Sequence, residues 1–352
     1  MQIFRGLNHP GMAPAVALTI GSFDGVHRGH QAMLALLHSE ARHRGLPSCV
    51  LTFEPHPRDF FARLHQQPDL APKRIGTLRD KWMELRACGV DQCVVLPFNL
   101  QLSQMSAEAF VREVLVQGLG AQYILVGDDF RFGAKRAGNH DALVQFGQQL
   151  GFEVARMNSY ELSEARPEPG ANPPGVAAPA VRVSSSLVRQ ALANGQMDEA
   201  ARLLGRPYAI SGHVVHGRKL GRELQCPTLN LRFRHTRPAA QGIFVSRVLG
   251  LSVEPLMAVS NFGTRPSLDP NDVNGGRVLL ETHCLEWPAH LGAEGGYGKL
   301  IVVELLHKLH DELVYDSLDA LNAGIAKDCA DARAWFASRH GETHRQTTRD
   351  RI

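Results

Sequence analysis

Residues 21–30 read GSFDGVHRGH, and this stretch decides the fold of the first half of the chain. An apolar run at 15–20 precedes it, and a segment with helical spacing of apolar residues follows it. The sequence therefore predicts a strand, a tight glycine-rich turn and a helix. Because the first N–H groups of a helix attract anions, we expect His27 and His30 to face a phosphate group. The alternative is that both are surface histidines in a loop.

Strand-like and helix-like segments alternate through this half of the chain. The sequence predicts strands at 15–20, 48–53, 94–96 and 123–126, and helices at 29–44, 77–88 and 106–118. This alternation favours a parallel sheet covered by helices on both faces. Ligands of such sheets bind beyond the carboxyl ends of the strands.

Three further stretches lie at or after such ends. The prolines of residues 54–57, EPHP, stiffen the backbone and suit the wall of a flat ligand site. Residues 127–133, GDDFRFG, place aromatic rings beside carboxylates and an arginine, and residues 182–189, RVSSSLVR, offer hydroxyl groups and arginines to an anion. The alternatives are an ordinary loop, core packing of Phe130 and Phe132, and a serine helix cap.

Together, these four stretches resemble the adenylyltransferase half of bacterial bifunctional riboflavin kinase/FAD synthetases. The resemblance implies an α/β nucleotidyltransferase-like, Rossmann-type domain at 1–204, with a proline-rich insertion near 161–181. It implies that His27 and His30 stabilise the transferring α-phosphate of ATP. The residues it implies for binding ATP and flavin are Gly21, Phe23, Asp24, Gly29, Pro55, Pro57, Asp129, Ser184, Ser185 and Arg189.

From residue 208 onward, short alternating runs replace the earlier pattern. They lie at 208–215, 243–249, 256–260, 277–285 and 299–306, with glycine, proline and asparagine between them. An apolar stripe at steps of three and four then predicts a helix at about 317–337. We therefore expect a small antiparallel β-barrel domain with a C-terminal helix at 205–340, and a polar tail at 341–352.

Four polar motifs mark this second half. A small basic turn suits a phosphate, and two oxygen-bearing side chains two apart on an extended segment suit Mg²⁺. A further polar turn follows, and a carboxylate among apolar neighbours suits a general base. Each motif has a plain alternative as a turn or a solvent-facing strand residue. The residues are Gly217, Lys219 and Gly221 in the basic turn, then Thr228 and Asn230, then Asn261, then Glu281.

These motifs resemble the riboflavin kinase half of the same family, through PTxN at 227–230 and ExH at 281–283. The resemblance implies that Mg²⁺ binds with ATP at Thr228 and Asn230, and that Glu281 takes the proton of the riboflavin 5′-hydroxyl. It implies synthesis of FMN and then FAD, with flavins as substrate and product and ATP used in both steps. Four residues depart from the expected pattern, which bears on the rate or the substrate affinity of the kinase and not on the assignment. They are Gln225, Cys226, Leu229 and Phe244.

Charge and composition restrict the partners. The 38 basic and 35 acidic residues give a net charge of +3, which is too mild to favour nucleic acid as the main partner. No signal peptide and no apolar run of membrane-spanning length is present, so we expect a cytoplasmic protein without a membrane partner. The six cysteines form no CxxC pair, which disfavours a thiolate zinc site. The expected ligands are ATP, riboflavin, FMN and FAD, and self-association is left open.

The same residues leave three alternative functions. The first is an enzyme with one activity, in which the altered kinase loop is inactive. The second is a flavin-binding regulator, which would be expected to lose His27, His30 or Glu281, although all three are present. The third is a tRNA-charging enzyme, which is disfavoured because the chain shows no second, lysine-rich signature.

The two-site interpretation predicts that the activities separate. Glu281→Gln should stop FMN formation and leave FMN-to-FAD conversion, whereas His30→Ala should do the reverse, because each residue belongs to a different domain. Chromatography of the flavin products measures both activities. If either substitution abolished both activities in a folded protein, the two-site assignment would be wrong.

Overall fold

The computed structural model describes residues 1–163, 180–216, 228–233, 237–264, 278–292 and 294–349. The chain packs as two compact units, one formed by Met1–Pro72 with Lys81–Ser185, the other by Lys73–Asp80 with the rest of the chain from Ser186. Several sequence-derived sites lie outside the described residues: Gly217, Lys219, Gly221, Gln225, Cys226 and most of the proline-rich insertion.

A six-stranded parallel sheet forms the centre of the first unit. Its strands are β1 (Gln2–Arg5), β2 (Val16–Ile20), β3 (Ser48–Glu54), β4 (Gln92–Pro97), β5 (Ala121–Gly127) and β6 (Glu153–Met157), in the spatial order β1-β4-β3-β2-β5-β6. Every neighbouring pair is parallel. All five β2 residues are buried, as expected for a strand covered on both faces. The predicted α/β parallel sheet is confirmed.

Helices connect these strands. They are α1 (Arg28–His43), α2 (Pro57–Leu64), α3 (Leu78–Ala87), α4 (Leu100–Gln104), α5 (Ala107–Ala109) and α6 (His140–Leu150). A π-helical segment, Phe110–Gly118, continues α5. The short hairpin of β7 (Glu161–Ser163) and β8 (Ala180–Arg182) follows. The chain then forms α7 (Ser185–Ala193) and α8 (Met197–Leu204).

The strand order gives the stretch at 21–30 its position. From β2 the chain builds the sheet outward in one direction through β3 and β4, and β5 then lies on the other side of β2. The carboxyl end of β2 is therefore the topological switch point, where parallel α/β sheets bind ligands. The loop that carries His27 and His30 begins at this end.

Six antiparallel strands form the second unit. They are β9 (Tyr208–His213), β10 (Leu229–Arg232), β11 (Gly242–Leu249), β12 (Leu256–Thr264), β13 (Val278–Cys284) and β14 (Leu300–His310), in the order β10-β13-β12-β11-β14-β9. Val215 N, just after β9, donates to Asn230 O of β10 at 2.9 Å, so the two edges meet and nearly close a barrel. The predicted barrel is confirmed.

One helix, α9 (Leu318–Arg349), follows the barrel. It packs through Ile325, Cys329 and Ala332 on Val245 and Val259, which explains the apolar stripe in the sequence. The helix continues past residue 337, where the stripe ends. Residues 338–349 contain no proline, so the end of the stripe does not end the helix. Among the described residues, no helix has both the length and the apolar character needed to cross a membrane.

The two faces of the barrel sheet differ in character. Along β12, Ser260 and Phe262 share one face, and Val259 and Asn261 share the face that α9 covers. The first face carries a buried chain of hydroxyl groups, in which Ser260 Oγ lies 2.7 Å from Ser246 Oγ and 2.8 Å from Thr282 Oγ1. These groups satisfy one another, which is what burial of polar atoms requires.

A histidine–aspartate pair joins the end of β14 to α9. His310 Nε2 lies 2.8 Å from Asp328 Oδ1, and His310 Nδ1 lies 2.7 Å from Asp311 O. Both partners only accept, so the protonated ring fits because it donates from both nitrogens. Burial lowers the pKa of His310, but the bonds to Asp328 and Asp311 outweigh burial and raise the pKa overall.

We predict that this pair makes the stability of the second unit depend on pH. Because the folded-state pKa of His310 is raised above 6.5, the stabilisation is fully present below pH 6.5 and is lost as the pH rises through the folded-state pKa. Calorimetric melting should show a drop of roughly 1–3 °C across this window. Asp328→Asn should lower the melting temperature at pH 6 and abolish this drop; an unchanged drop would contradict the assignment.

Candidate active sites

Strained backbone shapes the loop after β2. Phe23 and Val26 adopt positive φ angles of 48° and 40°, a region that side chains disfavour, and Gly25 adopts 82°. The Phe23 and Val26 side chains are fully buried, at 1% and 0% exposure. Their burial holds the backbone in this conformation, and strain of this kind concentrates at functional sites.

His27 caps helix α1. Its Nδ1 accepts a hydrogen bond from His30 N at 3.3 Å, and its side chain is buried. Since Nδ1 is an acceptor, the proton of the neutral ring lies on Nε2, which is therefore a donor. The His30 ring stacks on His27, with centroids 3.7 Å apart, and Phe23 lies 4.9 Å from His30. The structure thus brings both predicted histidines together at a helix N-terminus.

Two glycines leave room for these rings. A Cβ atom on Gly29 would lie 3.2 Å from the His27 ring, and one on Gly21 would lie 3.0 Å from Phe23. Both distances are shorter than ordinary contacts, so a side chain at either position would press on the ring beside it.

The serines at the start of α7 differ from Arg189 in their surroundings. Ser185 Oγ donates to Asp24 O at 3.0 Å, which brings this serine to the loop after β2, and Asp24 is buried. Ser184 directly precedes α7. Arg189 belongs to the second unit, where its Nε donates to Lys73 O at 2.7 Å.

A charged cluster lies at the carboxyl end of β5. Arg182 Nη2 lies 3.2 Å from both Asp128 Oδ1 and Asp129 Oδ2. Ser159 Oγ donates to Asp128 at 2.6 Å, and this bond lowers the pKa of Asp128. Asp129 was identified from the sequence, but its ion pair with Arg182 was not, because the two residues are 53 positions apart in the chain.

The two phenylalanines of residues 127–133 belong to the hydrophobic core. Phe132 is 6% exposed and is part of the core of the first unit. Phe130 is partly buried and stacks on it, with ring centroids 5.5 Å apart. Of the two alternatives that the sequence left open, the structure supports core packing.

A two-residue loop after β3 leads directly into helix α2. The Glu54–Pro55 bond is cis, His56 Nδ1 accepts from Arg58 N at 3.1 Å, and Pro57 opens α2. Proline suits this position because the first helical N–H groups need no partner within the helix. The sequence analysis expected a stiff loop here and did not predict the helix that begins at Pro57.

The structure shows an aromatic cluster beside this segment that the sequence pattern did not indicate. Phe53 lies near the end of β3, Phe98 follows β4, and Phe60 and Phe61 lie on α2. Phe98 makes edge contacts with the other three rings at centroid distances of 5.4–5.8 Å. Phe61 is 36% exposed, so part of the cluster faces solvent at the ligand edge of the sheet.

A row of polar side chains crosses three strands of the barrel. Glu281 of β13 lies opposite Asn230 of β10 on one side and Asn261 of β12 on the other. Directly opposed residues share a sheet face, with Cβ atoms roughly 5 Å apart. Thr228 lies two residues before Asn230, just outside β10. Extended backbone at this position would place the two side chains on the same side of the chain. The structure therefore brings Asn230, Asn261 and Glu281 together.

Two buried acceptor atoms in this row receive no hydrogen bond from any described residue. Asn230 is 3% exposed, and within the described part of the chain neither its Oδ1 nor that of Asn261 has a hydrogen-bond partner. Such atoms are rare in folded proteins and are commonly satisfied by a bound ligand, ion or water molecule. The described residues contain no group of three or more His, Cys, Asp or Glu side chains that could hold a metal ion.

A second carboxylate, missed at the sequence level, adjoins the row. Glu312 follows β14, and a methyl group on Gly263 of β12 would overlap with its carboxyl group. Burial raises the pKa of Glu312, a hydrogen bond from Asn261 lowers it, and the charge of Glu281 raises it; the net shift is upward.

This fold and these sites define a two-part transferase, with a nucleotidyltransferase-like α/β unit and a kinase-like β-barrel. Curated relatives align with nearly the full length of this chain and of their own. A bifunctional riboflavin kinase/FMN adenylyltransferase of Escherichia coli K12 is 40% identical over 338 residues, which are 96% of this chain and 98% of the relative. The chain belongs to the bifunctional riboflavin kinase/FMN adenylyltransferase family. The resemblance drawn from the motifs is confirmed.

Other comparisons agree with this membership. Proteins of the same description from Pseudomonas fluorescens and Haemophilus influenzae are 40% and 36% identical, over 96% of this chain and 98% and 100% of their own. The family models for FAD synthetase and riboflavin kinase match residues 10–167 and 204–336. A crystal structure titled as a macrolide-efflux protein from Streptococcus pneumoniae has a TM-score of 0.69 at 24% identity, covering 95% of this chain and 100% of that one, and shows the fold alone.

Proposed function

We propose that this chain makes FAD from riboflavin in two ATP-dependent steps. The first transfers the γ-phosphate of ATP to riboflavin and gives FMN. The second transfers AMP to FMN and releases pyrophosphate. One observation carries the proposal: a single chain combines the stacked His27–His30 pair at the switch point with the Asn230–Glu281–Asn261 row on the barrel.

In the adenylylation step, a phosphate oxygen of FMN attacks the α-phosphorus of ATP, and pyrophosphate leaves. His27 Nε2–H and the His30 ring stabilise the negative charge that develops on the α-phosphate, together with the N-terminal end of α1. The strained loop with Gly21, Phe23, Asp24 and Gly29 holds this arrangement. Ser184 and Ser185, at the start of α7, hold the triphosphate.

We propose that the flavin ring of FMN lies against the aromatic cluster of Phe53, Phe60, Phe61 and Phe98. Flat aromatic rings stack favourably, and this cluster is partly exposed at the carboxyl edge of the sheet. Pro55 and Pro57 fix the backbone beside the cluster, and Asp129 binds polar atoms of the flavin.

In the kinase step, Glu281 accepts the proton of the riboflavin 5′-hydroxyl. The hydroxyl oxygen forms a bond to the γ-phosphorus, the bond to the bridging oxygen breaks, and ADP leaves. The row on the barrel positions the reacting groups, which is the main requirement for phosphoryl transfer.

The kinase site suits Mg²⁺ bound together with ATP. Asn230 Oδ1 is a buried amide oxygen without a donor among the described residues, and Mg²⁺ prefers hard oxygen ligands. Thr228 supplies a hydroxyl oxygen nearby in sequence. When bound, the ion neutralises charge on the phosphate groups.

We further propose that residues 1–204 carry the adenylylation and residues 205–340 the phosphorylation. The protein acts in the cytoplasm on ATP, riboflavin, FMN and FAD, without a nucleic-acid or membrane partner. The net charge of +3 supports the absence of nucleic acid.

A product assay tests the proposal. Purified protein is incubated with riboflavin, ATP and Mg²⁺, with and without a chelator, and the flavins are separated over time. We expect FMN first and FAD later, and neither when the chelator is present. FMN alone, or FAD only from added FMN, would indicate one working site; no product from either substrate would favour a flavin-binding regulator.

Gly29→Ala should lower FMN adenylylation by about tenfold to a hundredfold, because the new methyl group displaces the His27 ring. The same change favours the helix by up to about 1 kcal/mol, so loss of folding is not the expected cause. Riboflavin phosphorylation should stay unchanged. Ser39→Ala, at an exposed position of the same helix, is the matched control and should leave both rates unchanged. Full adenylylation by the Gly29 variant would contradict the assigned role of His27.

A further inference from the structure

We propose that Asn261 and Glu312 form a subsite that binds the polyol chain of riboflavin, through hydroxyl groups next to the one that reacts. The inference rests on the proposed kinase function and adds the contacts that select the substrate. Neither residue is needed for the proton transfer itself, which belongs to Glu281.

The first argument is position. Asn261 lies directly across from Glu281 on the neighbouring strand, so the two side chains are roughly 5 Å apart on one face. If Glu281 receives the proton of the 5′-hydroxyl, Asn261 reaches the hydroxyl one or two carbons further along the chain. These are the 4′- and 3′-hydroxyl groups of riboflavin.

The second argument is hydrogen-bond chemistry. A carboxylate only accepts, so the amide nitrogen of Asn261 makes the bond to Glu312, and Asn261 Oδ1 is directed elsewhere. Within the described part of the chain, Asn261 Oδ1 and Glu312 Oε1 are both buried without a donor. A ligand that supplies two donors satisfies both atoms, and two neighbouring hydroxyl groups of a polyol do so.

The third argument is charge. Glu281 and Glu312 are close enough that the charge of Glu281 raises the pKa of Glu312. Two neighbouring carboxyl groups repel phosphate, which is negative and only accepts. The triphosphate of ATP is therefore a poor occupant, and a neutral polyol is a good one.

The fourth argument is that the backbone makes room for Glu312. A methyl group on Gly263 would overlap with its carboxyl group, although Gly263 needs no positive φ angle. At Gly242, with φ +123°, a Cβ atom would lie 2.5 Å from His310 O. Both glycines let the chain after β14 lie close to the sheet, and the His310–Asp328 pair fixes its start.

The test compares riboflavin with its 2′-, 3′- and 4′-deoxy analogues as kinase substrates. Loss of one hydrogen bond to a neutral acceptor should lower kcat/KM of the native chain about threefold to tenfold, and loss of one to a carboxylate about tenfold to a hundredfold. We expect these losses for the 3′- or 4′-deoxy analogue and not for the 2′-deoxy analogue.

Variants assign the effect to the two residues. Asn261→Leu and Glu312→Gln should each lower kcat/KM for riboflavin and lose the discrimination against the same analogue, with KM for ATP unchanged. Gly263→Ala should reproduce the Glu312 phenotype, because it displaces the carboxyl group. Glu304→Gln is the matched control, since Glu304 lies on β14 and pairs with Arg247. Calorimetric melting of each variant reports folding of the second unit, in which all four residues lie.

Equal rates with all three analogues, or full discrimination by both variants, would overturn the subsite. A raised KM for ATP with unchanged flavin selectivity would overturn it in favour of a phosphate or metal site. If the native chain phosphorylated no flavin, the proposed function would fail instead. Flavin fluorescence titration, with the native chain compared against Asn261→Leu, would still test the subsite: equal affinities would reject it, and loss of analogue discrimination would support it.

Discussion

Buried polar groups must find hydrogen-bond partners, and this constraint separates structural polar residues from those at the candidate sites. Burial raises the pKa of Asp80, yet its carboxyl group accepts bonds from Ser211 and Thr77, and it is structural. The hydroxyl chain through Ser260 likewise satisfies itself. The acceptors around Glu281 differ, because the described chain supplies them with no donor.

The sequence predicted the central architecture well, because buried strands leave a clear pattern. The strands β2, β3, β4 and β5 are largely buried and read as apolar runs. The edge strands β1 and β6 were missed, since they are largely exposed or only partly buried and their sequences, QIFR and EVARM, show no such run. The barrel was predicted because alternation and turn residues repeat along the chain.

The candidate sites were only partly predictable. Motifs identified His27, Asn230 and Glu281, whose chemical type and spacing are local properties of the sequence. Glu312 was not identified, because its place depends on a glycine almost fifty residues earlier and on strand order. The aromatic cluster was missed for the same reason, since its rings come from three separate elements.

His27 also links chemistry to secondary structure. Its Nδ1 accepts the bond that caps the first turn of α1, which leaves the proton of the neutral ring on Nε2. A proton added at Nδ1 would remove the cap, and the freed N–H groups at the helix end would then compete for any anion nearby. Acid, anion binding and fraying of this helix are therefore thermodynamically linked through one imidazole ring.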